Sequence, residues 1–203
     1  MGAFSSPALY DGTVYVGNDG QHASNLHAID PTTGTIKWKF RVKNQIFSTP
    51  AVSDGAVYFH VRDDHVYALK TADGSLLWKT PAPSPQSWIS VYQDLTKSSP
   101  AVDRERVYVG INADLVALDR TTGTVLWKAP TGRKVDSSPL VVGATVYVGS
   151  DDKSFYAFEA ATGAKLWSYK TGGRISSPPT FGEGLILIGS NDGALYAFEE
   201  AAR

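Results

Sequence analysis

A tryptophan returns along this chain at a fixed distance behind an alanine, and that comb limits the fold more than any other feature. Ala28, Ala68, Ala117 and Ala157 precede Trp38, Trp78, Trp127 and Trp167 by ten residues each. Gly34, Gly74, Gly123 and Gly163 precede the same tryptophans by four. Two more landmarks keep the same beat. A small-residue and proline element ends at Pro7, Pro50, Pro100, Pro139 and Pro179. Seven residues later comes a β-branched and aromatic run: VYVG from Val14, VYFH from Val57, VYVG from Val107 and Val146, ILIG from Ile186. Self-similarity at a period of about 40 residues predicts a propeller or solenoid.

Each copy reads as four short strands. The first runs through the proline element, the second is the VYVG run, the third carries the alanine and the fourth the tryptophan. A Thr-Gly or Asp-Gly turn leads into the fourth, where glycine can take the positive φ that a bulged hairpin needs. No stretch has helical periodicity. The repeats fall at about 4–42, 46–80, 96–130, 135–170 and 175–199, within one β-propeller domain over 1–203. Residues 81–97 form an insertion carrying Trp88 and Tyr92. The fifth copy lacks its tryptophan strand, so nineteen strands are expected. That leaves three arrangements: part of a larger ring, an open arc whose edges pair with another copy, or a five-bladed ring with one short blade.

The string AxDxxTGxxxW, complete in HAIDPTTGTIKW and VALDRTTGTVLW and varied in YALKTADGSLLW and YAFEAATGAKLW, resembles the tryptophan-docking repeat of the pyrroloquinoline-quinone-type propellers. That family holds the quinoprotein alcohol dehydrogenases and cofactor-free relatives such as BamB and the sensor domains of some bacterial kinases. The resemblance covers about Ser5 to Phe198. It implies an all-β propeller with one four-stranded blade per repeat, each tryptophan ring lying between neighbouring blades. It also implies a periplasmic or extracytoplasmic setting, although the chain carries no signal-peptide pattern.

Composition narrows the chemistry. The chain has 203 residues, no cysteine and a net charge of −1. Disulfides, thiolate metal sites and cysteine nucleophiles are excluded. Near-neutral charge gives no global pull towards nucleic acid, and no apolar run is long enough to span a bilayer. Nucleotide-binding, zinc-hydrolase and serine-hydrolase motifs are missing. The dehydrogenases of the family carry a vicinal cysteine pair, which this chain lacks. The leading expectation is therefore a non-catalytic module that binds a protein or peptide, with no cofactor. The alternatives are a piece of a quinoprotein dehydrogenase holding pyrroloquinoline quinone and calcium, or a ligand-sensing domain of a membrane kinase. The candidate binding face gathers Trp88 and Tyr92 of the insertion with Lys43, Arg133, Lys134 and Arg174 from the loops entering the innermost strands. Self-association through unpaired blade edges is a further expectation.

Overall fold

The computed structural model describes residues 5–18, 24–63, 65–82 and 98–199. Trp88 and Tyr92 lie outside them. Among the described residues, five antiparallel sheets with nineteen strands follow one another along the chain, and there is no helix. Blade 1 is β1 (Ala8–Tyr10), β2 (Thr13–Gly17), β3 (Ser24–Ile29) and β4 (Ile36–Val42). Blade 2 is β5 (Ala51–Ser53), β6 (Ala56–Val61), β7 (His65–Lys70) and β8 (Leu76–Pro81). Blade 3 is β9 (Ala101–Val102), β10 (Arg106–Ile111), β11 (Asp114–Asp119) and β12 (Val125–Pro130). Blade 4 is β13 (Leu140–Val142), β14 (Thr145–Gly149), β15 (Ser154–Glu159) and β16 (Lys165–Lys170). Blade 5 has three strands: β17 (Thr180–Gly182), β18 (Leu185–Gly189) and β19 (Leu195–Glu199). Each sheet is a simple meander, and the short first strands β1, β5, β9, β13 and β17 neighbour one another in turn.

Local chemistry writes the hairpins. Asp11-Gly12 and Asp54-Gly55 both have positive φ at two successive residues, the geometry whose twist matches that of the flanking strands. At the turn before the tryptophan strand of blades 1 and 3, the Asp30 carboxylate accepts from the N–H groups of Thr32 and Thr33, and Asp119 accepts likewise from Thr121 and Thr122. These side chains stand in for backbone partners and close the turn. A β-bulge follows in blades 1 to 4, between the alanine and the next residue of the third strand.

One expectation shifts. The first strand begins after the proline element rather than running through it. Proline has no N–H for a ladder, and the serine hydroxyls take over the ladder's part. The N–H of His60 donates to Ser48 Oγ, whose hydroxyl donates to the His60 carbonyl; Gly110 N–H donates to Ser98 Oγ. The next residue links blades. Thr49 N–H donates to Ser99 Oγ, and Ser99 N–H donates to Ser138 Oγ, at 2.8 and 2.9 Å. The equivalent residue in blade 5 is Pro178, and there Ser137 Oγ donates to the Ser177 carbonyl instead.

The core is split into four layers, one at each blade boundary. Tyr15, Leu26 and Ala28 of blade 1 meet Val57, Phe59 and Leu69 of blade 2. Tyr58, Val66 and Ala68 meet Val107, Val109 and Leu118. Tyr108, Leu115 and Ala117 meet Val146, Val148 and Phe158. Tyr147, Phe155 and Ala157 meet Ile186 and Ile188. Alternation along each strand sends one set to each neighbour, so no blade buries its faces alone. The two end faces show the consequence. Leu9 on blade 1 and Leu195 on blade 5 are 70% and 71% exposed, so the five blades leave an open arc.

Candidate functional site

Three of the four repeat tryptophans reach across a blade boundary in the same way. The indole N–H groups of Trp38, Trp78 and Trp127 donate to the carbonyls of Thr71, Arg120 and Ala160, at 2.8, 2.9 and 3.1 Å. Each acceptor stands three residues past the alanine of the following blade. Each ring lies against that blade's turn glycine. A Cβ built on Gly74, Gly123 or Gly163 would fall within 2.6 Å of the Trp38, Trp78 or Trp127 ring. Ala28, Ala68, Ala117 and Ala157 are fully buried opposite their tryptophans. Trp167 differs, because its ring stacks on Phe198 at 5.5 Å. The boundary between blades 2 and 3 is also held by Arg120. It donates to the Tyr58 hydroxyl at 3.0 Å and pairs with Asp54 at 2.8 Å, both in the preceding blade.

The loops that enter the innermost strands lie beside the turns between second and third strands. Asp151 N–H donates to the Lys134 carbonyl, Asn191 N–H to the Arg174 carbonyl and Arg62 N–H to the Gln45 carbonyl. Aspartates clamp neighbouring loops onto this face. The Asp152 carboxylate accepts from Gly132 N–H at 2.7 Å and from the Tyr156 hydroxyl at 2.5 Å; Asp192 accepts from Gly172 N–H and Tyr196. Partial desolvation opposes ionisation of Asp192, but hydrogen bonds from Ala194, Tyr196 and Gly172 outweigh it and bring its pKa down to about 2. Tyr67 and Tyr108 are pushed well above the phenol range, first by burial and then by the carboxylates of Asp63 and Asp103. None of these groups is tuned for proton transfer near neutrality.

Three of the expected binding residues do converge. Lys134 pairs with Asp136 at 3.0 Å, and Arg174 reaches Asp151 at 3.8 Å. Burial raises the Asp151 pKa and the nearby Asp136 charge adds to it, against the pull of Arg174, Lys134 and Arg133. This charged cluster joins the loops of blades 4 and 5. Lys43 is exposed on the loop leading to blade 2, away from it. The sequence puts Asp136 and Asp151 on the same mixed-charge loop face as these cations but does not mark which carboxylate meets which cation. Among the described residues, no group of three His, Asp or Glu side chains is placed to hold a metal ion.

A family model described as outer membrane protein assembly factor BamB matches residues 2–113 and 84–202. The chain belongs to the BamB family of quinone-type repeat propellers. The serine/threonine-protein kinase AfsK of Streptomyces griseus is 31% identical over 73% of this chain and 18% of its own length. Quinohemoprotein alcohol dehydrogenase ADH-IIG of Pseudomonas putida is 30% identical over 68% of this chain and 21% of its own. The crystal structure of BamB from Moraxella catarrhalis superposes with a TM-score of 0.77 at 20% identity, over 97% of this chain and 61% of that one. The chain thus spans about a fifth of these two curated relatives and about three-fifths of the solved propeller. For this BamB-family chain, the calcium suggested by the dehydrogenase branch is a poor match to the charged cluster on the loop face. Calcium takes six to eight oxygens, whereas Asp136 and Asp151 are engaged by Lys134 and Arg174.

Proposed function

We propose that this chain is a non-catalytic scaffold of the cell envelope that binds a protein or peptide on its loop face. The observation that carries the reading is the cluster of Arg133, Lys134, Asp136, Asp151 and Arg174. Lys134 pairs with Asp136 within the loop entering blade 4, and Arg174 reaches across from the blade 5 loop to Asp151, so charges of both signs stand side by side on the loop face, a pattern suited to a complementary partner. Membership of an outer-membrane assembly-factor family supports the same setting. The periplasm is the compartment that description suggests.

The test is deletion of the gene in its host, with the amount of assembled outer-membrane protein as the readout. The account expects that amount to fall, wild type to restore it, and the Arg133→Glu, Arg174→Glu double variant to restore it poorly. Full rescue by the double variant would sink the loop-face assignment. A second reading, a dehydrogenase segment, is favoured by relatives such as the Pseudomonas putida dehydrogenase. Saturable uptake of pyrroloquinoline quinone with calcium, together with dye-linked alcohol oxidation, would establish it instead.

A further inference from the structure

The outermost strand of each complete blade concentrates one sign of charge. Strands β4, β8, β12 and β16 hold seven of the chain's 19 basic residues and none of its 20 acidic ones. The whole chain is balanced at −1, so the perimeter is basic at the expense of the loops. The same strands carry seven of the ten large hydrophobic side chains that stand exposed among the described residues. They come in register. The bulged residue just before the tryptophan is Leu77, Leu126 or Leu166 in blades 2 to 4, and exposed lysines follow the tryptophan as Lys39, Lys79 and Lys128 in blades 1 to 3.

Lysine on a strand edge serves to deter pairing with other strands. Deterrence does not call for exposed leucine beside it. Aliphatic rows interleaved with cations are the pattern of a surface that is covered by something acidic and partly apolar. Each of these strands also ends its sheet, so one row of backbone N–H and C=O groups has no strand partner among the described residues. A polypeptide supplies matching donors and acceptors there, which a lipid surface cannot. The indoles, which would favour a membrane interface, are turned inward onto the next blade.

We propose that the perimeter of blades 1 to 3 docks an extended, acidic segment of a partner protein whose carboxylates alternate with aliphatic side chains. This surface is separate from the loop face, and the proposal does not rest on the function assigned to that face. The test uses fluorescence anisotropy with a labelled dodecapeptide alternating glutamate and valine, a lysine-valine counterpart, and phosphatidylglycerol vesicles. The intact chain is expected to bind the acidic peptide, to ignore the basic one and to lose affinity as salt rises. The Lys39→Glu, Lys79→Glu, Lys128→Glu variant should bind at least about tenfold more weakly. Leu126→Ser should weaken binding too, and Arg104→Glu, off the perimeter, should not. Circular dichroism checks that each variant is folded. Equal binding of both peptides by the wild-type chain, no binding of the acidic one, or tighter binding to the vesicles would each overturn the proposal.

Discussion

Gly123 sits at φ +73° with the Trp78 ring where its side chain would be, and a Cβ there would meet the ring at 2.5 Å. Gly12 has a similar φ of +63° with nothing within 4 Å. Comparing the two separates backbone strain from the indole contact. Gly12→Ala should cost about 1 kcal/mol, the left-handed penalty alone. Gly123→Ala should cost about 2 kcal/mol more, because a packed ring must move. Equal losses in urea unfolding would show that the ring contact contributes nothing. A second residue-scale prediction concerns acid. Asp192 is depressed to about 2 from an ordinary 3.8. A depressed carboxylate stabilises the fold above its unfolded pKa and ceases to do so as pH falls through the folded one. The urea midpoint should therefore drop between about pH 4 and pH 2. Asp192→Asn should begin lower at neutral pH and change less across that window. Identical pH profiles for the two proteins would refute the role of that carboxylate.

Among elements, the fifth blade is the least covered. Its β19 alternates exposed and half-buried residues, whereas the equivalent β15 of blade 4 is buried almost throughout. Amides of Tyr196 and Ala197 should exchange with solvent at least about tenfold faster than those of Tyr156 and Ala157. Matched rates would mean that something else covers blade 5 in solution. The alanine-to-tryptophan comb made the nineteen strands legible from sequence, since they follow from period and turn chemistry. The placement of the first strand was not legible. A reader of residues sees Ser-Ser-Pro as part of a β run, but whether hydroxyls replace ladder hydrogen bonds depends on where the second strand comes to lie. Arg120 was missed for a similar reason. Its partners Tyr58 and Asp54 are some sixty residues away, and nothing local marks them. The cluster around Asp151 was half legible: the cations were singled out, and their carboxylate partners were not.

At the scale of the whole molecule, stability is a chain of boundaries. Each of the four core layers belongs to two blades, so damage to one boundary should be felt on both sides and fade beyond. The bare end faces extend the argument. Leu195 occupies a position that internal blades bury against a neighbour and Leu9 one that they half-bury, and the account predicts association that deepens with concentration and is reduced by Leu195→Asp. A single unchanging mass by light scattering would contradict it. The central claim is that the indoles lock one blade to the next, and native-state hydrogen exchange of Trp127→Ala tests it most directly. The substitution should cost roughly 3–5 kcal/mol and remove protection from β10 and β11 of blade 3 together with β14 and β15 of blade 4, while blade 1 keeps its own. Protection unchanged, or lost in blade 3 alone, would contradict it.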